Sequence, residues 1–367
     1  MTGEKKRPRG LKSSAMSKAN KKAKSEESAK PNEIPENAQT IVIDKEVEEG
    51  DELGETAALL ESAAEKLEVD PNEALPLLRG TIHESDRILR NWDSDSPLPA
   101  SFYYAYGVAL YELGRLTEDE EFEPYLDAAE ERLTDSQSHL EEEKNTELEP
   151  KVQLALIKVW FAKAASQVSD EENVPELATR ALDAADKVLG NLSSKATIEL
   201  ADIIQNHGAL YSSLESRDRF IVWSEKALEK ILKDEPENAQ ALFGLGLCKL
   251  QTAHYWLDNM NEEEEEEKTK LSEEEEKAYK AIIESKKYLE LAQKEFAKEN
   301  KLTPQVLADL AEVYLNEANL VLDEEKQNEI YEQAIKVIKE AQTLIAEKSL
   351  DYALPEGLLA FLAEYES

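Results

Sequence analysis

Four histidines are the natural starting point for chemistry in this chain, and they are scattered: His83, His139, His207 and His254. Only His83 sits in a suggestive run. His83-Glu84-Ser85-Asp86 opens like a helical His-Glu-x-x-His zinc motif, but Arg87 stands where the second imidazole must be. The run also lacks the His-x-Asp spacing that would place two of the three ligands of a non-haem iron. Gly244-Leu245-Gly246 is too short for a dinucleotide loop and lies inside a helical pattern rather than between a strand and a helix. No P-loop, Gly-x-Ser-x-Gly elbow or kinase signature is present. The single cysteine, Cys248, excludes an internal disulfide framework and a cysteine-based zinc site, and its apolar helical surroundings mark it as core. Carboxylates are everywhere, so no particular acid and base single themselves out. The expectation is a protein with no catalytic residues, no metal ligands and no cofactor.

Charge points to recognition instead. The chain of 367 residues carries 43 Lys and Arg against 80 Asp and Glu, a net charge of −37. Residues 1–30 hold ten of the cations and only three of the anions, so the remainder carries 33 cations and 77 anions. A body this acidic repels phosphate, which argues against direct nucleic-acid binding and against an anionic membrane surface. No apolar h-region follows the basic start, and no run approaches the roughly 18 apolar residues of a spanning helix.

In the tail, Lys5, Lys6, Arg7 and Arg9 form one basic cluster and Lys21, Lys22 and Lys24 a second, at the spacing of a bipartite nuclear import signal. A nuclear import receptor is the implied partner. Ser25 and Ser28, beside Glu26 and Glu27, are positioned to weaken that signal if phosphorylated. Residues 1–50 hold too few apolar side chains to offset the entropy of ordering and read as a disordered tail.

From Asp51 onward apolar residues recur at i, i+3, i+4 and i+7, glycine is scarce, and no strand-like alternation persists. The chain reads as all-α, with a 51–192 lobe, a 193–367 lobe and an acidic loop at 261–276, where Glu262–Glu267 and Glu273–Glu276 supply ten carboxylates. Tetratricopeptide helices place bulky, bulky, small and bulky residues at positions 4, 7, 8 and 11. Tyr103, Tyr106, Gly107 and Leu110 match, as do Leu307, Leu310, Ala311 and Tyr314. Leu242, Leu245 and Gly246 match with Lys249 in place of the last bulky residue. Weaker matches are Ile204, His207, Gly208 and Tyr211, and Leu358, Phe361, Leu362 and Tyr365. They are separated by 101, 38, 65 and 51 residues, so the array is degenerate, and the longest gap leaves room for a helix pair between Val152 and Gly190.

The same register assigns a groove to Tyr104, Tyr111 and Glu112, to Asp202 and Gln205, and to Gln305, Glu312 and Asn316. Its fifth and ninth positions hold no Lys and Asn pair, so a clamp for an acidic C-terminal tail is absent. An acidic, tyrosine-bearing groove suits an extended basic segment, captured quickly and salt-sensitively. The most distinctive segment is Arg79 to Arg90. On a helix it puts His83, Asp86, Arg87 and Arg90 on one face, with Ile82 and Leu89 toward the core, Ser85 and Ile88 at its margin, and Asp86 and Arg90 paired at i,i+4.

Lys6-Arg7-Pro8-Arg9-Gly10-Leu11, the Gly80 to Arg90 signature and a degenerate helical array to the end resemble the fungal enhancer of translation termination family. The fission-yeast member is the negative regulator of a prolyl hydroxylase-like, 2-oxoglutarate-dependent oxygenase. The resemblance implies a nuclear, non-catalytic adaptor, with a cytoplasmic pool, that binds and inhibits this oxygenase and so couples oxygen to the stability of a hypoxic transcription factor. It also implies links to a basic small-subunit ribosomal protein and to stop-codon reading. A second reading from composition is an acidic import adaptor or chaperone for that ribosomal protein.

Overall fold

The computed structural model describes residues 45–93, 95–117, 122–168, 172–259 and 270–365. Among them are thirteen α-helices and no strand: α1 (Glu52–Leu67), α2 (Pro71–Asn91), α3 (Ala100–Thr117), α4 (Phe122–Glu143), α5 (Glu149–Ser166), α6 (Glu176–Val188), α7 (Ser194–Gly208), α8 (Leu214–Asp234), α9 (Ala239–Asp258), α10 (Glu273–Lys298), α11 (Pro304–Leu320), α12 (Glu324–Lys348) and α13 (Glu356–Tyr365). Most starts are written locally: Asp51, Asp70, Ser193, Ser213, Asn238, Ser272, Thr303 and Asp323 each accept a hydrogen bond from an orphan amide of the first turn. The expected acidic loop therefore ends early. Ser272 and Glu275 form a reciprocal capping box, and Glu273–Glu276 are the first turn of α10, where the helix dipole favours negative charge. Residues Glu262–Glu267 and the basic tail lie outside the described residues.

The chain divides into two compact units, one ending at Ala164 and the other beginning at Ala165. The division expected at 192/193 falls inside the second unit, because α6 is held to α8. Its Asp186 accepts the Trp223 indole N–H at 2.7 Å, and the Glu172 carbonyl just before it accepts the Ser216 hydroxyl at 2.7 Å. In the first unit α1 pairs with α2 and α3 with α4, with an apolar cluster of Leu59, Ala63, Leu77, Leu78, Ala109 and Leu113 between them. Helix α5 is tied to α4 by Trp160 donating to Glu130 at 2.8 Å and by Lys163 bridging Asp127 and Glu130. In the second unit α7–α8, α9–α10 and α11–α12 are hairpins, each packed on the next, and α13 closes on α11 and α12 through Leu354, Leu358 and Leu362.

The repeat pattern is real, and its period is longer than the tetratricopeptide 34. Leading helices begin at Glu52, Ala100, Glu149, Ser194, Ala239 and Pro304, with spacings of 45 to 49 residues and a last one of 65. The small eighth residue does what the pattern requires of it. A Cβ on Gly107 would stand 2.7 Å from Leu133 of α4, and one on Gly246 2.6 Å from Leu289 of α10. Returning helices reinforce the contact: Ser224 donates to the Ala201 carbonyl at 2.9 Å and Ser285 to the Gly246 carbonyl at 2.8 Å. Both carbonyls belong to eighth positions, so each is a serine clasp over the closest approach of two helices.

Two of the matches depart from the pattern. Helix α7 ends at Gly208, and it buries Thr197, Leu200, Ala201 and Ile204 at the same spacing seven residues before the match ending at Tyr211, whose four residues are buried too. Lys249 replaces an aromatic residue because it is an ion-pair centre, 2.9 Å from Glu225 of α8 and 3.3 Å from Glu284 of α10.

Candidate partner-binding surfaces

Helix α2 buries Ala74, Leu77, Leu78, Thr81, Ser85 and Ile88, so its core stripe runs through Thr81, Ser85 and Ile88, and Ile82 and Leu89 flank it half-buried. The opposite ridge exposes Arg79, His83 and Arg90. Arg87 does not belong to that ridge as a free cation: its guanidinium binds Glu84 along its own helix and, at 2.8 Å, Glu52 of α1. It staples α2 to α1, and those carboxylate hydrogen bonds raise its pKa further above the ordinary arginine value. The Asp86–Arg90 ion pair is replaced by other bonds. Asp86 accepts the Tyr106 hydroxyl of α3, and Arg90 Nε donates to the Asp86 carbonyl at 3.0 Å. Burial, aided by the bond to Asp86, pushes the Tyr106 phenol well above its usual range.

The groove expected on α3 is largely closed. Tyr104 is half-buried, but Tyr111 and Glu112 are only 7% and 8% exposed, and Glu112 is neutralised by Arg115 at 2.7 Å. The cause is composition: α3 packs against α1, α2 and α4 and buries eleven residues, leaving scarcely one solvent face for the register to select. On α7, Asp202 is exposed, but Gln205 is buried at 1%, donating to Asp202 at 3.1 Å and accepting the Cys248 thiol at 2.8 Å. Burial lifts that thiol far above its ordinary pKa, so Cys248 is inert core. Beside it His207 contacts the Tyr211 hydroxyl at 2.7 Å. Burial, with Arg219 nearby, lowers His207 to about 4 and leaves it neutral.

The face on α11 is open, and it gathers more than the register foresaw. Gln305 is exposed, and Glu312 and Asn316 are half-buried. His254 of α9 contacts Glu312 at 3.0 Å, Gln305 donates to Asp309 at 2.8 Å, and the Tyr352 hydroxyl, from the segment before α13, donates to Gln305 at 2.9 Å. Burial, and secondarily the neighbouring Glu312, pushes the Asp309 carboxyl up to about 7, against the Gln305 hydrogen bond and the pull of His254. A carboxyl poised at neutrality beside a second carboxylate suits an incoming lysine or arginine, whose charge would hold Asp309 ionised. Asp309 escaped the sequence reading because it lies between groove positions, and Tyr352 because nothing local folds it back across 47 residues.

The import clusters Lys5, Lys6, Arg7, Arg9, Lys21, Lys22 and Lys24 lie outside the described residues. Among the described residues no helix is long and apolar enough to cross a membrane, and no group of three or more His, Cys, Asp or Glu is arranged to hold a metal ion.

A family model described as "Nuclear pore complex subunit Nro1" matches residues 1–239. The chain belongs to this family. It is 27% identical to the "Negative regulator of ofd1" of Schizosaccharomyces pombe, over 94% of this chain and 97% of that one. It is 26% identical to "Enhancer of translation termination 1" of Yarrowia lipolytica, over 85% and 86%. Solved structures of the S. pombe nuclear import adaptor Nro1 share the fold: one aligns with a TM-score of 0.51 at 23% identity, over 90% of this chain and 100% of that one. The all-α helical-repeat fold and the resemblance to the translation-termination family hold. Relatives of the Nro1 family carry the names of regulators and adaptors.

Proposed function

We propose that this chain is a non-catalytic nuclear import adaptor that binds a prolyl hydroxylase-like 2-oxoglutarate oxygenase and inhibits its action on a hypoxic transcription factor, with a further role in translation termination. The observation that carries the reading is the likeness to the S. pombe negative regulator over 94% of this chain and 97% of that one. The division of charge supports it: a tail rich in Lys and Arg suits an import receptor, and an acidic body is left to hold cargo. The chain moves between a cytoplasmic pool, where cargo is loaded, and the nucleus. Two surfaces serve the partner. One is the ridge of Arg79, His83 and Arg90 on α2, with Asp86 behind it. The other is the acidic face of Asp309, Glu312 and Asn316 on α11, with Gln305 and His254.

The test is nuclear accumulation of a fluorescent oxygenase in permeabilised cells supplied with import receptors. Added chain should drive accumulation, and a chain with Lys5, Lys6, Arg7, Arg9, Lys21, Lys22 and Lys24 changed to Ala should not. Accumulation independent of the chain would sink the adaptor role. The net charge of −37 also favours a second cargo, a basic small-subunit ribosomal protein. Its binding should collapse in high salt, whereas a packed oxygenase interface should persist.

A further inference from the structure

Between α2 and α3 lies an open dish of about 460 Å³, lined by Leu89, Trp92, Asp95, Pro97, Leu98 and Tyr103 together with Ser96. Its walls are two aromatic rings, and both are fixed. The Trp92 indole N–H donates to the Ser96 carbonyl at 2.8 Å, so its one polar atom is already used and the ring serves as a π surface. Tyr103 stacks on His139 of α4, centroids 5.0 Å apart and planes 10° apart, and meets Phe102 edge-on at 5.3 Å. Below them Ile88, Leu98 and Phe102 form a buried apolar cluster. At the rim Asp95 is exposed and makes no ion pair or hydrogen bond among the described residues.

This combination selects for one kind of guest. An aliphatic or prolyl side chain would cover the apolar residues but gain nothing from the Asp95 charge, and an anionic guest would be repelled by it. A planar cation draws on all three features: an aromatic ring for its face, Leu89 and Leu98 for its stem and the carboxylate for its N–H groups. Arg90, next to Leu89 in sequence, is already bonded through Nε to the Asp86 carbonyl. We propose that this dish is the seat for an arginine side chain presented by an extended basic segment of a partner protein. The site stands apart from the identity of the cargo, since it is defined by the guest's side chain and tested with that side chain alone.

The experiment uses the full chain labelled with 5-fluorotryptophan, its Trp92 resonance assigned through Trp92→Phe. It is titrated at physiological salt with the blocked pentapeptide acetyl-Gly-Gly-Arg-Gly-Gly-amide and with its citrulline counterpart, which has the same shape and no charge. The arginine peptide should shift the Trp92 resonance saturably, citrulline should bind at least fivefold more weakly, and Asp95→Asn should weaken the arginine peptide roughly fivefold, the scale of one exposed ion pair. Glu347→Gln, at an exposed carboxylate of the other unit, should change nothing at Trp92. Equal shifts from both peptides would overturn the proposal, as would an affinity indifferent to Asp95→Asn. A Trp92 resonance that stays still while others move would show only general attraction to an acidic body, and would overturn it too.

Discussion

Asp309→Asn should make the protein more stable at pH 8 and less able to hold a basic partner. The carboxyl titrates near 3.8 in the unfolded chain and at about 7 in the fold, because burial disfavours its charged form. Between those values the folded state binds more protons than the unfolded one, so stability falls as pH rises and the full cost is present above 7. At about 1.4 kcal/mol per unit, the cost is about 4 kcal/mol at pH 8, about 1 kcal/mol at pH 4.5 and nothing below 3.8. Asparagine keeps the acceptor for Gln305 and cannot ionise. Equilibrium denaturation of both proteins at pH 8 and pH 4.5 should therefore give a stabilisation that shrinks by about 3 kcal/mol on acidification, every other carboxylate cancelling in the comparison. Binding of a lysine- or arginine-rich partner at pH 8 should weaken in the same variant. A destabilisation of equal size at both pH values would mean instead that Asp309 is ionised and satisfied as it stands.

Other outcomes follow from the packing and the tail. Gly246→Ala should cost about 1–3 kcal/mol in thermal denaturation, because its Cβ would meet Leu289 at 2.6 Å, while Gly190→Ala, with nothing within 4 Å, should lie within about 0.5 kcal/mol of the parent. Ser285→Ala should lose about 1 kcal/mol with its bond to the Gly246 carbonyl, measured by urea unfolding. Lys249→Met should cost about 1–3 kcal/mol by leaving Glu225 and Glu284 without their shared cation, and lowering the pH should recover part of it. Deleting residues 1–30, which removes ten cations, should abolish nuclear accumulation of the tagged chain while leaving its circular dichroism per folded residue unchanged.

Much of the fold was legible because it is periodic. Leu307, Leu310, Ala311 and Tyr314 announce a leading helix by type and spacing alone, and all four are buried. What the pattern could not reveal was partnership across the chain. Lys249 looked like a flaw in a repeat until α8 and α10 supplied Glu225 and Glu284. Arg87 looked like a free cation on a helix face, yet Glu52, 35 residues away, claims it. The groove positions fared according to how amphipathic their helices are. On α11 one side is open and Gln305, Glu312 and Asn316 are accessible, whereas α3 is apolar nearly all round and swallows Tyr111 and Glu112. A register alone has no means of counting how many neighbours a helix will acquire.

If this chain is the proposed adaptor, it carries an iron- and 2-oxoglutarate-dependent oxygenase. The most direct measurement is capture by the full chain from a native extract, washed at about 0.1 M and about 0.5 M salt and read by mass spectrometry. Between those washes the screening length falls below about 5 Å, so contacts held only by surface charge are lost. The oxygenase and an import receptor should be recovered, and the oxygenase should survive the higher wash. Recovery of basic ribosomal proteins alone, all lost at the higher wash, would contradict it and make the chain an acidic chaperone.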